Sequence, residues 1–240
     1  MAKKWKNYTH KTLLRNIRKV FNRRDAFKRL AAYHSNDRSL EERIDWAMSF
    51  GGHGYYRIKT LQIKSEILAL AREVEALRPK TIMEIGTARG GTLLIWSSLA
   101  SEKAISCDMQ DMSIQGELLT ALPPKGSTCE VVLLSGNSHE DSFRQQVEAE
   151  LKGKQVDFLF IDGDHTEKGV EADYRDYRHL VRPGGIIAFH DIVENQPLDI
   201  NQVYYFWQRL KKEVPITEEF VSDSQQCGFG IGIVRVPAEQ

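Results

Sequence analysis

The sequence predicts an α/β protein built on a mostly parallel sheet with helices on both faces. Two observations carry that prediction. Five short runs, TIMEI, KAISCD, EVVLL, VDFLFI and GIIAFH, are almost wholly apolar. Strands covered on both faces read in this way, whereas a half-solvated strand alternates apolar and polar residues. Each run is followed by a stretch of helical periodicity, which is the rhythm of a doubly wound fold.

Taken in order, residues 1–50 read as a basic helical extension and residues 51–240 as one domain. Leu13, Ile17, Val20, Phe21, Phe27 and Leu30 follow helical spacing with basic residues between them. Residues 32–59, including GGHGYY, read as an irregular lid or connection. TLQIKSEILALAREVEALRP then places Ile63, Ile67, Leu70, Val74 and Leu77 on one helical face, with Pro79 as its stop. The alternation follows: TIMEI, TLLIWSSLA, KAISCD, a helix ending before PPKG, EVVLL, DSFRQQVEAELKG and VDFLFI. VEADYRDYRHLV, closed by RPGG, leads to GIIAFH and then QVYYFWQRLKKEV. Tyr174, Tyr177 and the YYFW run read as helix core. Two last strands fall near ITEEFV and GFGIGIVRV. The latter suits a seven-stranded sheet whose last strand is inserted antiparallel.

Composition narrows the class. No run approaches the roughly 18 apolar residues of a membrane span, and the basic start MAKKWKNYTHK lacks the apolar core of a secretory signal. Cys107, Cys129 and Cys227 are scattered without C-x-x-C spacing, which favours a reducing, cytoplasmic setting and argues against zinc. The formal charge of zero hides an asymmetry: residues 1–30 hold eleven Lys or Arg against one acid, Asp25. Such an arm either docks on an anionic membrane surface, a nucleic acid or an acidic partner, or packs its apolar stripe on its own domain or a second subunit. We favour packing, since one apolar face is what any packed surface helix shows; a homodimer and a peripheral membrane contact are the partners it allows, ahead of nucleic acid.

Parallel sheets bind ligands at the carboxyl ends of their strands, and the ends carry polar residues here. After the first strand comes Glu84-Ile85-Gly86-Thr87-Ala88-Arg89-Gly90-Gly91. Glycines 86, 90 and 91 let backbone approach a ligand and open a helix, with Thr87 inside the turn. After the second strand come Asp108, 22 residues beyond Gly86, and Met109. An acid at that distance accepts both hydrogen bonds of a ribose diol. Asn137 and Ser138 end the third strand, placed to meet an adenine edge. Capping explains some of these residues equally: Ser138 suits an N-cap, and Asp108 suits a turn. Together they favour an adenosine-containing ligand. An anion at Glu84 suits an ammonium-bearing ligand better than a pyrophosphate. The fourth strand delivers Asp162, Asp164 and His165 to the same rim in FLFIDGDH, and the fifth delivers His190 and Asp191.

The E-x-G-x-x-x-G turn at 84–90, with Asp108 after it, resembles the class I S-adenosylmethionine-dependent methyltransferases. More narrowly, FLFIDGDHTEKGVEADYRDYRHLVRPGGIIAFHD (158–191) resembles the group of cephalosporin-hydroxylase-type and macrocin-type O-methyltransferases. The resemblance covers roughly residues 60–236 and implies a Rossmann-like methyltransferase fold. It implies S-adenosylmethionine at Glu84, Gly86, Thr87, Gly90, Gly91, Asp108, Met109, Asn137, Ser138 and Asp162. It also implies a divalent cation, magnesium or manganese, at Asp162, His190 and Asp191. His190 departs from that pattern, because relatives often carry an acid there. Either it stands behind the oxygen ligands, with Asp164 replacing the missing one, or the ion is softer than magnesium, or no metal binds.

The expected reaction is methyl transfer to a hydroxyl of a small molecule or glycoside. Coordination to a dication makes an alcohol more acidic. His165, three residues from Asp162, is placed to take the proton, and the resemblance supports that role. Two other readings are open: a nicotinamide-dependent oxidoreductase of Rossmann type, and a non-catalytic methyltransferase-like module tethered by its basic arm.

Overall fold

Strand β1 (Thr81–Ile85) is buried along its whole length because parallel strands lie on either side of it and helices cover both its faces. The structure, a computed structural model, describes residues 2–238, with side chains for Thr12 and from residue 14 onward; the Leu13 side chain of the predicted stripe lies outside them. Strands β2 (Lys103–Asp108) and β4 (Val156–Ile161) flank β1 in parallel. Strand β3 (Glu130–Ser135) lies outside β2, and β5 (Val181–His190) lies beyond β4. Strands β6 (Thr217–Phe220) and β7 (Ile231–Arg235) complete a seven-stranded sheet of order β3-β2-β1-β4-β5-β7-β6. Strand β7 runs antiparallel to both its neighbours, as GFGIGIVRV predicts.

The period-2 alternation of strand side chains divides the core in two. Ile82, Phe158, Phe160, Ile186 and Ala188 face α3 (Lys64–Ala76) and α4 (Gly91–Leu99). There Trp96 packs edge-on against Phe158 and Phe160, with ring centroids 4.9 and 5.4 Å away. Met83, Leu159, Ile187 and Phe189 face α6 (Asp141–Leu151), α7 (Glu167–Tyr177) and α8 (Val203–Glu213). Tyr174, Tyr177, Phe206 and Trp207 are buried in that layer, whereas Tyr205 of the YYFW run is exposed. The helix predicted before PPKG is the short α5 (Gly116–Thr120).

Three expectations are corrected. Residues 32–59 are not irregular: α2 (Leu40–Ser49) occupies their middle, opened by a reciprocal capping box between Ser39 and Glu42. Ser-x-x-Glu was visible in the sequence but was overshadowed by the glycines that follow. RPGG does not stand between helix and strand; it lies inside β5, where the register against β4 shifts between Val156 and Phe158. A Cβ at Gly185 would meet the Asp157 carbonyl oxygen at 2.8 Å, so glycine permits that irregular crossing. Finally, the arm α1 (Ala2–Tyr33) divides along its length. Ala26, Leu30 and Tyr33 belong to the core, together with Ile44 and Ala47 of α2, while Val20 and Phe21 are 67% and 66% exposed. Among the described residues no helix is long and apolar enough to cross a membrane.

Candidate active site

After β1 the chain turns through Gly86 at φ +103°, a left-handed value that glycine reaches without steric cost. A Cβ here would lie 2.0 Å from the carbonyl oxygen of Asp162, so the ends of β1 and β4 touch through backbone alone. Two cavities open along this rim and share Gly86, Ala88, Asp162 and His165.

The first, of about 400 Å³, is lined by Asp108, Met109, Asn137, Ser138 and His139 among others. Asp108 accepts hydrogen bonds from the backbone N–H of Ala88 (2.7 Å) and of Gln110 (2.8 Å). It therefore ties the glycine turn to β2, yet each carboxylate oxygen keeps a further lone pair for a ligand. Met109 is 74% exposed at the mouth. Asn137 accepts from the N–H of His139 at 3.0 Å. Ser138 does not cap α6, whose N-cap is Glu140; its hydroxyl donates to the buried Asp173 at 2.7 Å, and His139 approaches the same carboxylate at 3.2 Å. That partnership raises the pKa of His139.

Three predicted cofactor residues sit elsewhere. Glu84 is 1% exposed beneath the turn and lines neither cavity. One of its oxygens accepts from Ser106 at 2.6 Å, while the other has no hydrogen-bond partner. Burial pushes its pKa up to about 8, against the opposing hydrogen bonds of Ser106 and Thr92. Gly90 and Gly91 are absent from both linings. A Cβ at Gly91 would lie 2.2 Å from the Thr60 nitrogen, and one at Gly90 would lie 2.4 Å from Leu119. Both glycines make room for protein: the chain at Lys59–Thr60 crosses the start of α4, with Lys59 bridged to Gly90. Thr87 lines the second cavity, and its hydroxyl pairs with Ser106 at 2.5 Å.

The second cavity, of about 590 Å³, gathers the predicted metal and catalytic residues. His165 spans two carboxylates, with Nε2 3.5 Å from Asp162 and Nδ1 3.0 Å from Asp191. His190 lies behind them, its Nδ1 3.1 Å from Asp162 and 3.3 Å from Asp191, while its Nε2 is buried without a partner. Asp191 holds φ +66°, a strained value that persists only where surroundings enforce it. Hydrogen bonds to Asp162 and then Asp191 push the pKa of His165 up to about 10. Burial works against the charge on Asp162, but His190 and His165 outweigh it and hold the carboxyl well below the usual range. Burial also opposes charge on His190, and Asp162 overcomes it to raise that pKa.

Donor atoms of Asp162, His165 and Asp191 lie within 4.8 Å of one another, a set that can surround a cation. Of the readings left open for His190, the geometry favours the one in which it stands behind the carboxylates, and the imidazole on the open side is His165. Asp164 lines the first cavity and not the second, and it accepts from the Thr166 N–H at the start of α7. Two residues escaped the sequence reading. Gln62 donates to Asp162 at 3.0 Å, and Asn201 donates to Asp191 at 2.5 Å. Neither stands in a patterned motif; only the fold brings them to the rim.

Residues 83–192 match the family model described as "Methyltransferase domain". No curated protein sequence matches the chain. Among solved structures, the O-methyltransferase from Bacillus cereus in complex with SAH superposes with a TM-score of 0.55 at 19% identity, covering 89% of this chain and 90% of that one. The O-methyltransferase TomG from Streptomyces achromogenes, involved in tomaymycin synthesis and in complex with SAM, gives 0.55 at 13%, over 85% and 92%. MycE methyltransferase from the mycinamycin biosynthetic pathway, in complex with Mg, SAH and mycinamycin VI, gives 0.58 at 16%, over 85% of this chain and 56% of that one. These likenesses agree on the fold, and the family match falls on the strand ends that build the rim. Over residues 83–192 the chain is similar to a methyltransferase domain, and its seven-stranded sheet has the fold of these O-methyltransferase structures.

Proposed function

We propose that this protein transfers a methyl group from S-adenosylmethionine to a hydroxyl of a small molecule or glycoside. The observation that carries the reading is the meeting of two cavities at Asp162 and His165. One holds a diol-binding acid, Asp108, and the polar Asn137–His139 segment, which suit ribose and adenine. The other holds acids and imidazoles, which suit an alcohol that must lose its proton. A sulfonium in the first cavity and an oxygen in the second face each other across the shared wall, the arrangement in-line transfer requires.

Glu84 supports the cofactor half from below. It is sealed from both cavities with one oxygen partnerless; burial favours its neutral form in the free protein, and an ammonium group bound above the turn would draw it toward the charged form. The oxidoreductase alternative is disfavoured by Gly91: the start of α4, where a dinucleotide pyrophosphate would sit, is covered by Lys59–Thr60.

The residues present fit a divalent ion, because the Asp162 and Asp191 carboxylates converge there and otherwise rely on protonated histidines for charge. Asp162 and Asp191 would hold it, and a bound magnesium or manganese would polarise the acceptor hydroxyl. Asn201, Gln62 and His190 orient the two carboxylates. His165 takes the hydroxyl proton once its imidazole is neutral, and its two carboxylate neighbours then stabilise the imidazolium. The MycE complex, which contains Mg, SAH and mycinamycin VI, supports an ion and a small-molecule ligand on a similar fold.

Calorimetric titration with S-adenosylmethionine, with and without magnesium or manganese, tests the reading. Binding of S-adenosylmethionine is expected in every condition. No binding in any of them rejects the cofactor; turnover indifferent to chelation rejects the ion and leaves a transferase that uses His165 alone.

A further inference from the structure

The acceptor half has a wall the reaction does not explain. Residues 57–62 pass the start of α4 with alternating burial: Ile58, Thr60 and Gln62 are buried, while Arg57 and Lys59 are more open to solvent. Arg89, in the glycine turn, joins them, and all three line the cavity whose floor is Asp162, His165 and Asp191. None of the three makes an ion pair among the described residues; Arg89 reaches only the Gly54 carbonyl at 3.5 Å. Other cations of the fold take protein acceptors at shorter range: Arg182 pairs with Asp157, Arg235 with Glu73 and Glu218, and Arg38 and Arg43 donate to backbone carbonyls. The floor carboxylates do not neutralise the wall, since His165, His190 and Asn201 already engage them.

Resting on the reading of this cavity as the acceptor site, we propose that the acceptor carries an anionic group, phosphate or carboxylate, held by Arg57, Lys59 and Arg89 while its hydroxyl is presented to Asp162 and His165. Guanidinium groups recognise such anions through paired N–H donors. Two guanidiniums and an ammonium on one wall also raise the local concentration of anionic molecules at the mouth. The segment is rigid enough to act as a template: Ile58 is fully buried, and Lys59 is bridged to Gly90.

The test uses the full chain saturated with S-adenosylhomocysteine, so that only the acceptor half is open, and titrates inorganic phosphate by calorimetry with glycerol as the uncharged control. Saturable phosphate binding at least about tenfold tighter than glycerol is expected, weakened at least about fivefold in R57Q/K59Q and in R89Q and weakened by added salt. Phosphate that never saturates, or that binds these variants as it binds the wild type, overturns the proposal. S-adenosylhomocysteine affinity, measured on the same samples, separates the two claims: normal nucleoside binding without phosphate binding sinks only the anionic acceptor. Loss of nucleoside binding in the wild type sinks the methyltransferase reading, and phosphate titration of the unloaded chain then still decides the anion site. Flotation with phosphatidylcholine vesicles containing phosphatidylglycerol distinguishes the source. Retention abolished by R57Q/K59Q supports the same site with a lipid-borne anion, and phosphate binding without retention supports a free acceptor.

Discussion

At Asp162 one carboxylate serves Gln62, His165 and His190 at once. Asp162→Asn keeps the shape but removes the charge that two imidazoles balance, so methyl transfer should fall by at least about 100-fold. Circular dichroism of the same variant should stay native; a variant that simply unfolds would make the residue a structural ion-pair partner instead. Glu84 supplies a pH prediction. Its pKa rises from 4.5 to about 8 on folding, so the native state holds a proton that the unfolded chain releases between those values. Stability therefore declines as pH rises from 4.5 to 8 on this group's account. Glu84→Gln should flatten that decline and raise stability near pH 8 by roughly 1 to 4 kcal/mol, while weakening S-adenosylmethionine. Urea melts at pH 5 and pH 8 check the first part, and an unchanged slope would show the carboxyl to be ionised in the fold. His165 and Asp191 were legible as rim residues because they follow apolar strands directly. The choice among the readings open for His190 was not, since which imidazole faces outward depends on side-chain packing.

At the scale of elements, the strands were readable because burial on both faces leaves no room for polar residues; β2 and β4 begin and end where KAISCD and VDFLFI do. Helix α2 was less readable, because its capping box sits among residues whose glycines signal turns. The function of Gly91 was unreadable for a different reason. A glycine that admits a ligand and one that admits a neighbouring chain look the same in sequence, and only the approach of Thr60 separates them. Gly91→Ala should push Lys59–Thr60 away from α4. We expect a loss of about 1–3 kcal/mol in stability from overpacking, and a rise in the acceptor KM larger than any change in cofactor affinity. Thermal melts and a KM comparison check this; equal effects on both ligands would place Gly91 in the cofactor seat after all.

At the scale of the whole molecule, the charge asymmetry of the sequence meets a divided helix. The core anchors α1 through Ala26, Leu30 and Tyr33, and the Arg23–Glu117 ion pair ties it to α5. Removing residues 1–20 should therefore leave melting temperature and S-adenosylmethionine affinity near wild type, whereas removing residues 1–38 should destabilise the chain by several kcal/mol through exposure of that core. Differential scanning calorimetry of both truncations checks the contrast, and equal loss from the shorter deletion would mean that residues 1–20 are structural too. A further consequence follows from the contact between Gly86 and Asp162, where two strand ends meet with no side chain between them. A ligand that steadies the nucleoside loop is expected to steady the acid opposite it, so the two ligands should bind cooperatively. By reciprocity, the factor by which bound nucleoside tightens the alcohol must equal the factor by which bound alcohol tightens the nucleoside.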